Sequence, residues 1–269
     1  MSLRCRDVLL PALLLAAGLA HGADGERVLR VCADPDNLPY SHQDLSGFEN
    51  RIAGIVADEL HARLQYDWLP QRRGFVRKTM GAGLCDVFVG VPAGFERVLT
   101  TRPYYRSSYV FAWRRGDDAP RSFADPRITL RKVGVQLVGN DLAATPPGYA
   151  LARAGAVANV VGYTVYGDGP AAQRMIAALA DGGIDTALLW GPQAGYFASR
   201  AATPIALAVA TPPAGLSTPF DFGIAMGVAR GNRELRDELD GVLQRRRADI
   251  DAVLAEYAVP RTDIDREAP

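Results

Sequence analysis

Two kinds of apolar rhythm alternate along the chain. Residues 28–33 (VLRVCA) and 64–69 (LQYDWL) read as strands, and residues 86–90 (DVFVG) form an apolar run of the kind buried on both faces of a parallel sheet. Between the first two, Ile52, Ile55, Val56 and Leu60 recur at helical spacing, which predicts a helix over 51–64. A second helix is expected over 74–82, closing near Gly83. The order is β-α-β-α-β, the pattern of a parallel sheet with crossover helices. The loop after residue 90 carries Pro92, Glu96 and Arg97 to the carboxyl end of the strand, where open α/β sheets bind their ligands. Then come Pro103-Tyr104-Tyr105-Arg106-Ser107-Ser108 and another strand over 109–113.

The rhythm repeats after a polar, proline-bearing stretch over 114–127. Residues 132–138 form a strand, and Gly139-Asn140-Asp141 is expected to begin a helix. A further strand lies within 157–166, a helix over 170–180 and a buried strand over 184–190 that ends at Gly191-Pro192. A second connector, 211–221 (TPPAGLSTPFD), leads to a strand over 222–228 and to one or two amphipathic helices within 232–257. Two α/β lobes with two connections follow. Residues 27–112 and 222–260 make the first lobe, 113–221 the second, and 261–269 a flexible polar tail.

The amino terminus changes the picture of where this happens. Arg4 and Arg6 precede an apolar run from Val8 to Ala20, and Ala20-His21-Gly22 offers small residues for a signal peptidase, so residues 1–22 read as a signal peptide. The run is too short for a comfortable membrane span, and no membrane insertion is expected. Without residues 1–22, the 30 basic and 30 acidic residues become 28 and 29. That near-neutral balance argues against nucleic acid as a partner. Cys32 and Cys85 then remain, in an oxidising compartment, one ending the first strand and the other beginning the third. A bridge between them is expected, provided the strand register lets the sulfurs meet.

Little in the chain suggests catalysis. Gly167-Asp168-Gly169-Pro170-Ala171-Ala172 matches a dinucleotide pattern, but Asp185 begins its strand where the fingerprint wants an acid at the end, and Pro170 reads as a helix start. His42 and His61 show no metal-binding spacing, and no nucleophile turn is present. No enzyme activity, cofactor or metal is expected. The run Arg72-Arg73-Gly74-Phe75-Val76-Arg77-Lys78 puts cations at a helix's amino end against its dipole. It is either a solvated face or a docking patch and cleft wall beside Gln71. Arg97 is either a carboxylate clamp or a surface residue paired with Glu96 or Glu49.

Six strings in order, CADPDNLPYS (32–41), GFENRIA (47–53), WLPQRRGF (68–75), CDVFVGVP (85–92), LTTRPYYRSSYVF (99–111) and LLWGPQAGYFA (188–198), resemble the MxaJ/XoxJ-type accessory proteins of quinoprotein alcohol dehydrogenases. The resemblance covers nearly the whole mature chain. It implies the type II periplasmic binding protein fold, two-lobed, each lobe a mostly parallel sheet flanked by helices, with two hinge connections. It also implies a monomer in the periplasm that partners a PQQ-dependent methanol or other alcohol dehydrogenase. The implied cleft is lined by Asp34, Asn37, Tyr40, Phe48, Glu49, Gln71, Arg72, Arg73, Pro92, Arg97 and Tyr105 on one side and Asn140, Asp141, Trp190 and Gly191 on the other. Against the amino-acid-binding pattern, Arg97 matches the carboxylate-binding Arg. Pro92 replaces a hydroxyl donor, and Gly191 stands where an Asp would meet the ligand's ammonium. Ordinary α-amino acids are therefore expected to bind poorly.

Overall fold

The computed structural model describes residues 26–138, 143–164 and 169–262. The signal segment, Asn140, Asp141 and the tail from 263 onward lie outside the described residues. The first part of the chain runs β1 (Val28–Ala33), β2 (Asp36–Asn37), β3 (Ser41–His42), α1 (Phe48–Glu59), β4 (Arg63–Trp68), α2 (Phe75–Lys78), β5 (Val87–Pro92), β6 (Leu99–Thr100) and β7 (Tyr105–Arg114). The middle runs β8 (Val133–Val138), β9 (Ala143–Ala144), α3 (Pro146–Arg153), β10 (Val160–Thr164), α4 (Ala171–Ala180), β11 (Thr186–Trp190), α5 (Gly191–Ser199) and β12 (Ile205–Val209). The chain ends with β13 (Asp221–Val228), α6 (Arg233–Arg245) and α7 (Arg247–Glu256).

The strands join in the order β10-β8-β11-β7-β13-β5-β1-β4. β1 is parallel to β4 and β5, and β8 is parallel to β10 and β11. The antiparallel pair β7 and β13 joins these two halves. Within β7 the partner changes: Tyr105–Ser108 pair with β13, and from Tyr109 the ladder runs with β11. Parallel strands need covered faces, and each half has them. In the first, Phe48, Ile52 and Val56 of α1 and Leu239 and Leu254 of α6 and α7 enclose Val31, Val89 and Met226. In the second, one face packs Phe111, Val133 and Leu188 beneath Leu151, and the other packs Ala187 and Leu189 beneath Met175 and Leu179.

Local chemistry moves several expected boundaries. α1 starts at Phe48, three residues early, because Asn50 Oδ1 accepts from the N–H groups of Gly47 (3.1 Å) and His42 (3.0 Å). The helix expected over 74–82 is one turn, α2, followed by a 3-10 turn at Met80–Ala82, since Thr79 leaves helical geometry at φ −111°, ψ −91°. The helix expected to begin at Gly139-Asn140-Asp141, outside the described residues, is met only as α3 from Pro146, after the short strand β9; α5 and β12 go beyond the expected elements. Cys32 and Cys85 are bridged, their Cα atoms 5.5 Å apart, because β1 and β5 are neighbours in the sheet. Met80, Phe88, Val91 and Val98 enclose the bridge. Among the described residues no helix is long and apolar enough to cross a membrane.

The described end of the chain returns to the junction. The Ser107 hydroxyl donates to Pro260 O (2.6 Å), and Thr262 bonds both Arg106 O (3.0 Å) and Asp221 Oδ2 (2.5 Å). Arg106 also pairs with Asp221. Arg261 meets Asp251 at 2.5 Å, so the first two residues of the expected tail are tied down.

Candidate binding cleft

A cavity of about 1130 Å³ opens between the halves, and both contribute to it. The loop after β1 enters through Asp34, whose Oδ1 accepts from Asp36 N (2.9 Å) and Oδ2 from Gln71 N (2.6 Å). Asn37 Nδ2 donates to Gln71 Oε1 (3.1 Å), which links that loop to the stretch before α2. Arg72, Arg73, Arg77 and Lys78 line the wall, and Pro92 at the end of β5 and Arg97 in the loop after it border it. From the second half come Gln136, Trp190, Gln193 and the start of α4 at Gly169-Pro170-Ala171. The Trp190 ring packs edge-on against Tyr109 (5.3 Å) and Phe222 (5.7 Å), an apolar wall. Burial pushes the Tyr109 phenol up to about 12.

Glu49, in the first turn of α1, faces the cavity across Gly90. A methyl group on Gly90 would coincide with the Glu49 carboxyl, so the glycine makes room for it. Burial alone pushes this carboxyl up to about 8; no cation pairs with it among the described residues. Its neighbours are phenols: Tyr40, Tyr66, Tyr104 and Tyr105 are themselves pushed up, first by desolvation and further by Glu49. At neutral pH the Glu49 carboxyl is therefore mostly protonated and offers an O–H donor.

Of the expected cleft residues, Asp34, Asn37, Tyr40, Glu49, Gln71, Arg72, Arg73, Pro92, Arg97 and Trp190 line this one cavity. Three do not. Phe48 and Tyr105 are fully enclosed in the first core, ring against ring at 6.2 Å, because each enters its element on the inward side. Gly191 points the other way: a Cβ there would lie 2.5 Å from Ser107 Oγ and 2.7 Å from Ser108 O. No side chain at 191 could reach a ligand. The residue facing the cleft at the end of β11 is Trp190, which carries no charge. Sequence reasoning also passed over Phe222, Tyr109, Gln136 and Gln193; the isolated glutamines carry no pattern that would single them out. Among the described residues no group of His, Cys, Asp or Glu could hold a metal ion.

No protein-family model matches the chain. Protein MoxJ of Paracoccus denitrificans is 32% identical over 253 residues, covering 86% of this chain and 88% of that protein. This chain belongs to the MoxJ family. Among solved structures, the periplasmic binding protein XoxJ from Methylobacterium extorquens AM1 is 39% identical, with a TM-score of 0.73 over 87% of this chain and 99% of that one. MxaJ from Methlophaga aminisulfidivorans MPT matches with a TM-score of 0.75 over 87% of this chain and all of that one; at 24% identity it bears on the fold alone. The MoxJ-family chain thus has the two-lobed periplasmic binding protein architecture, with the cleft on the side of the sheet where the parallel strands end.

Proposed function

We propose that this chain is a non-catalytic periplasmic accessory protein that supports assembly or activation of a PQQ-dependent methanol or other alcohol dehydrogenase through protein–protein contact. The observation that carries the reading is the near full-length kinship with MoxJ. Residues 1–22 would direct export and be removed. Residues 27–112 with 222–260 would move against 113–221; the change of partner inside β7 favours a boundary four residues earlier, between Ser108 and Tyr109, since Tyr109–Ala112 pair with β11. Closure about that junction would clamp a segment of the dehydrogenase between Trp190 on one wall and Arg97 on the other. Deleting the gene is expected to lower periplasmic alcohol-dehydrogenase activity, and the tagged mature protein is expected to capture a quinoprotein dehydrogenase from periplasm. Unchanged activity together with empty capture would end this reading.

A second reading has one observation in its favour. Arg97 has no ion-pair or hydrogen-bond partner for its side chain among the described residues, as a carboxylate clamp would require. An importer-linked binding protein for a small carboxylate would use it so. A thermal-shift screen separates the two, since a tight solute stabilises by about 2.7 kcal/mol at a hundredfold excess over its Kd.

A further inference from the structure

Among the described lining residues of the cleft, cations outnumber acids. Five lining side chains are cationic: Arg72, Arg73, Arg77 and Lys78 from the stretch around α2, and Arg97 from the loop after β5. All five residues are exposed. The side chains of Arg77, Lys78 and Arg97 have no hydrogen bond or ion pair to protein among the described residues. The three acids among the described lining residues do not pair with these three cations, and Arg72 and Arg73 have interactions of their own. Asp34 already accepts from two loop N–H groups. Asp36 lies exposed at the edge. Glu49 is half-buried at the cavity wall, among phenols and, among the described residues, without a cation. From the opposite wall, α4 presents its amino end at Gly169-Pro170-Ala171, where Pro170 supplies no side-chain cap. The positive end of that ten-residue helix adds to the same field.

A protonated carboxyl at the floor fits this arrangement. It donates to an anion, as a hydroxyl would, and it withholds the negative charge that would repel one. The space is larger than the roughly 300–1,000 Å³ of small-molecule sites, at about 1130 Å³. Trp190, Tyr109 and Phe222 offer apolar surface along it. We propose that the cleft takes an acidic segment of a partner protein, its carboxylates held at the mouth by Arg97, Arg77 and Lys78 and met at the floor by a hydrogen bond donated from Glu49. This rests on the accessory reading for the existence of a protein partner and adds the chemistry of the segment.

The groups that set the proton balance are the phenols of Tyr40, Tyr66, Tyr104 and Tyr105 around Glu49, the acids Asp34 and Asp36, and the five cations of the wall. An anion brought to Glu49 holds its proton more tightly, so binding near pH 8 takes up protons; a cation would release them. The test is calorimetry of the mature protein with hexaglutamate, hexalysine and free glutarate, in buffers of different ionisation enthalpy. Hexaglutamate is expected to bind with proton uptake, to weaken about tenfold between low and physiological salt, and to weaken again above about pH 8. Arg77→Glu, Lys78→Glu and Arg97→Glu should each weaken it several-fold while the melting temperature stays put. Glu49→Gln, which still donates an N–H, should retain binding and lose both the proton uptake and the alkaline fall.

Hexalysine binding with proton release, or no binding of hexaglutamate, overturns the proposal. Glutarate binding as tightly as hexaglutamate overturns it in favour of a small solute. Capture of a dehydrogenase by a protein that ignores hexaglutamate would leave the accessory reading standing and remove this one. Hexaglutamate binding together with empty capture and unchanged alcohol-dehydrogenase activity would end the accessory reading and leave the acid-binding cleft standing.

Discussion

Glu49 holds a proton in the folded protein that the unfolded chain gives up, because burial lifts its carboxyl from an ordinary 4.5 to about 8. The stabilising contribution is therefore complete below about pH 4.5 and is lost as pH rises through about 8. Its cleft-facing edge moderates the effect, which we place at about 1–3 kcal/mol. Glu49→Gln is accordingly expected to raise the melting temperature by several degrees at pH 9 and to change it little at pH 4, read by scanning calorimetry across that range. A rise of equal size at both ends would mean that the amide simply packs better. The sequence made Glu49 visible in the string GFENRIA, but its isolation depends on four tyrosines from three separate parts of the chain and on the missing side chain of Gly90. The same limit explains Phe48 and Tyr105. An aromatic near a cleft loop reads alike whether its ring turns to the core or to the opening, and only the packing of α1 against β7 decides.

Among the elements, the apolar runs of β1, β5, β11 and β13 were legible because strands covered on both faces leave little room for polar residues. α5 was not, since Gly191-Pro192 reads as a stop, whereas a proline in the first turn of a helix is well tolerated. That helix has a demanding neighbour. A methyl group at Gly195 would coincide with the carbonyl oxygen of Ala258 and lie 2.9 Å from Pro260 Cδ, so α5 and the returning chain touch backbone to backbone. Gly195→Val is expected to cost about 1–3 kcal/mol, or to dislodge residues 258–262, which hydrogen exchange at Thr262 would report. The bridge between Cys32 and Cys85 is the other tie between elements, closing 53 residues that include α1, β4 and α2. Replacing both cysteines by serine should lower stability by about 2–4 kcal/mol in denaturant titrations. The wild type under strong reductant should then match the double variant.

At the scale of the molecule, the two-lobed plan could be read from the repeat of the α/β rhythm on either side of a polar stretch, but the exit expected at 114–127 lies earlier, inside β7 between Ser108 and Tyr109. The character of the junction could not, because it depends on which residues of one strand pair with which neighbours. Asp221 holds Arg106 and Thr262 together there. Asp221→Ala is expected to loosen that knot and widen the spread of lobe orientations, seen as a larger radius of gyration in solution scattering. An unchanged profile would show that the ladders alone set the angle. β7 is a single strand stitched into both ladders, without a slack linker at the change of partner. Swinging one half against the other must therefore be absorbed as torsion spread over its residues, opposed by every rung it shares. A clamp of the proposed kind would therefore rest open, and its closing on a partner would be opposed by that torsion and would have to be offset by the contacts the partner makes.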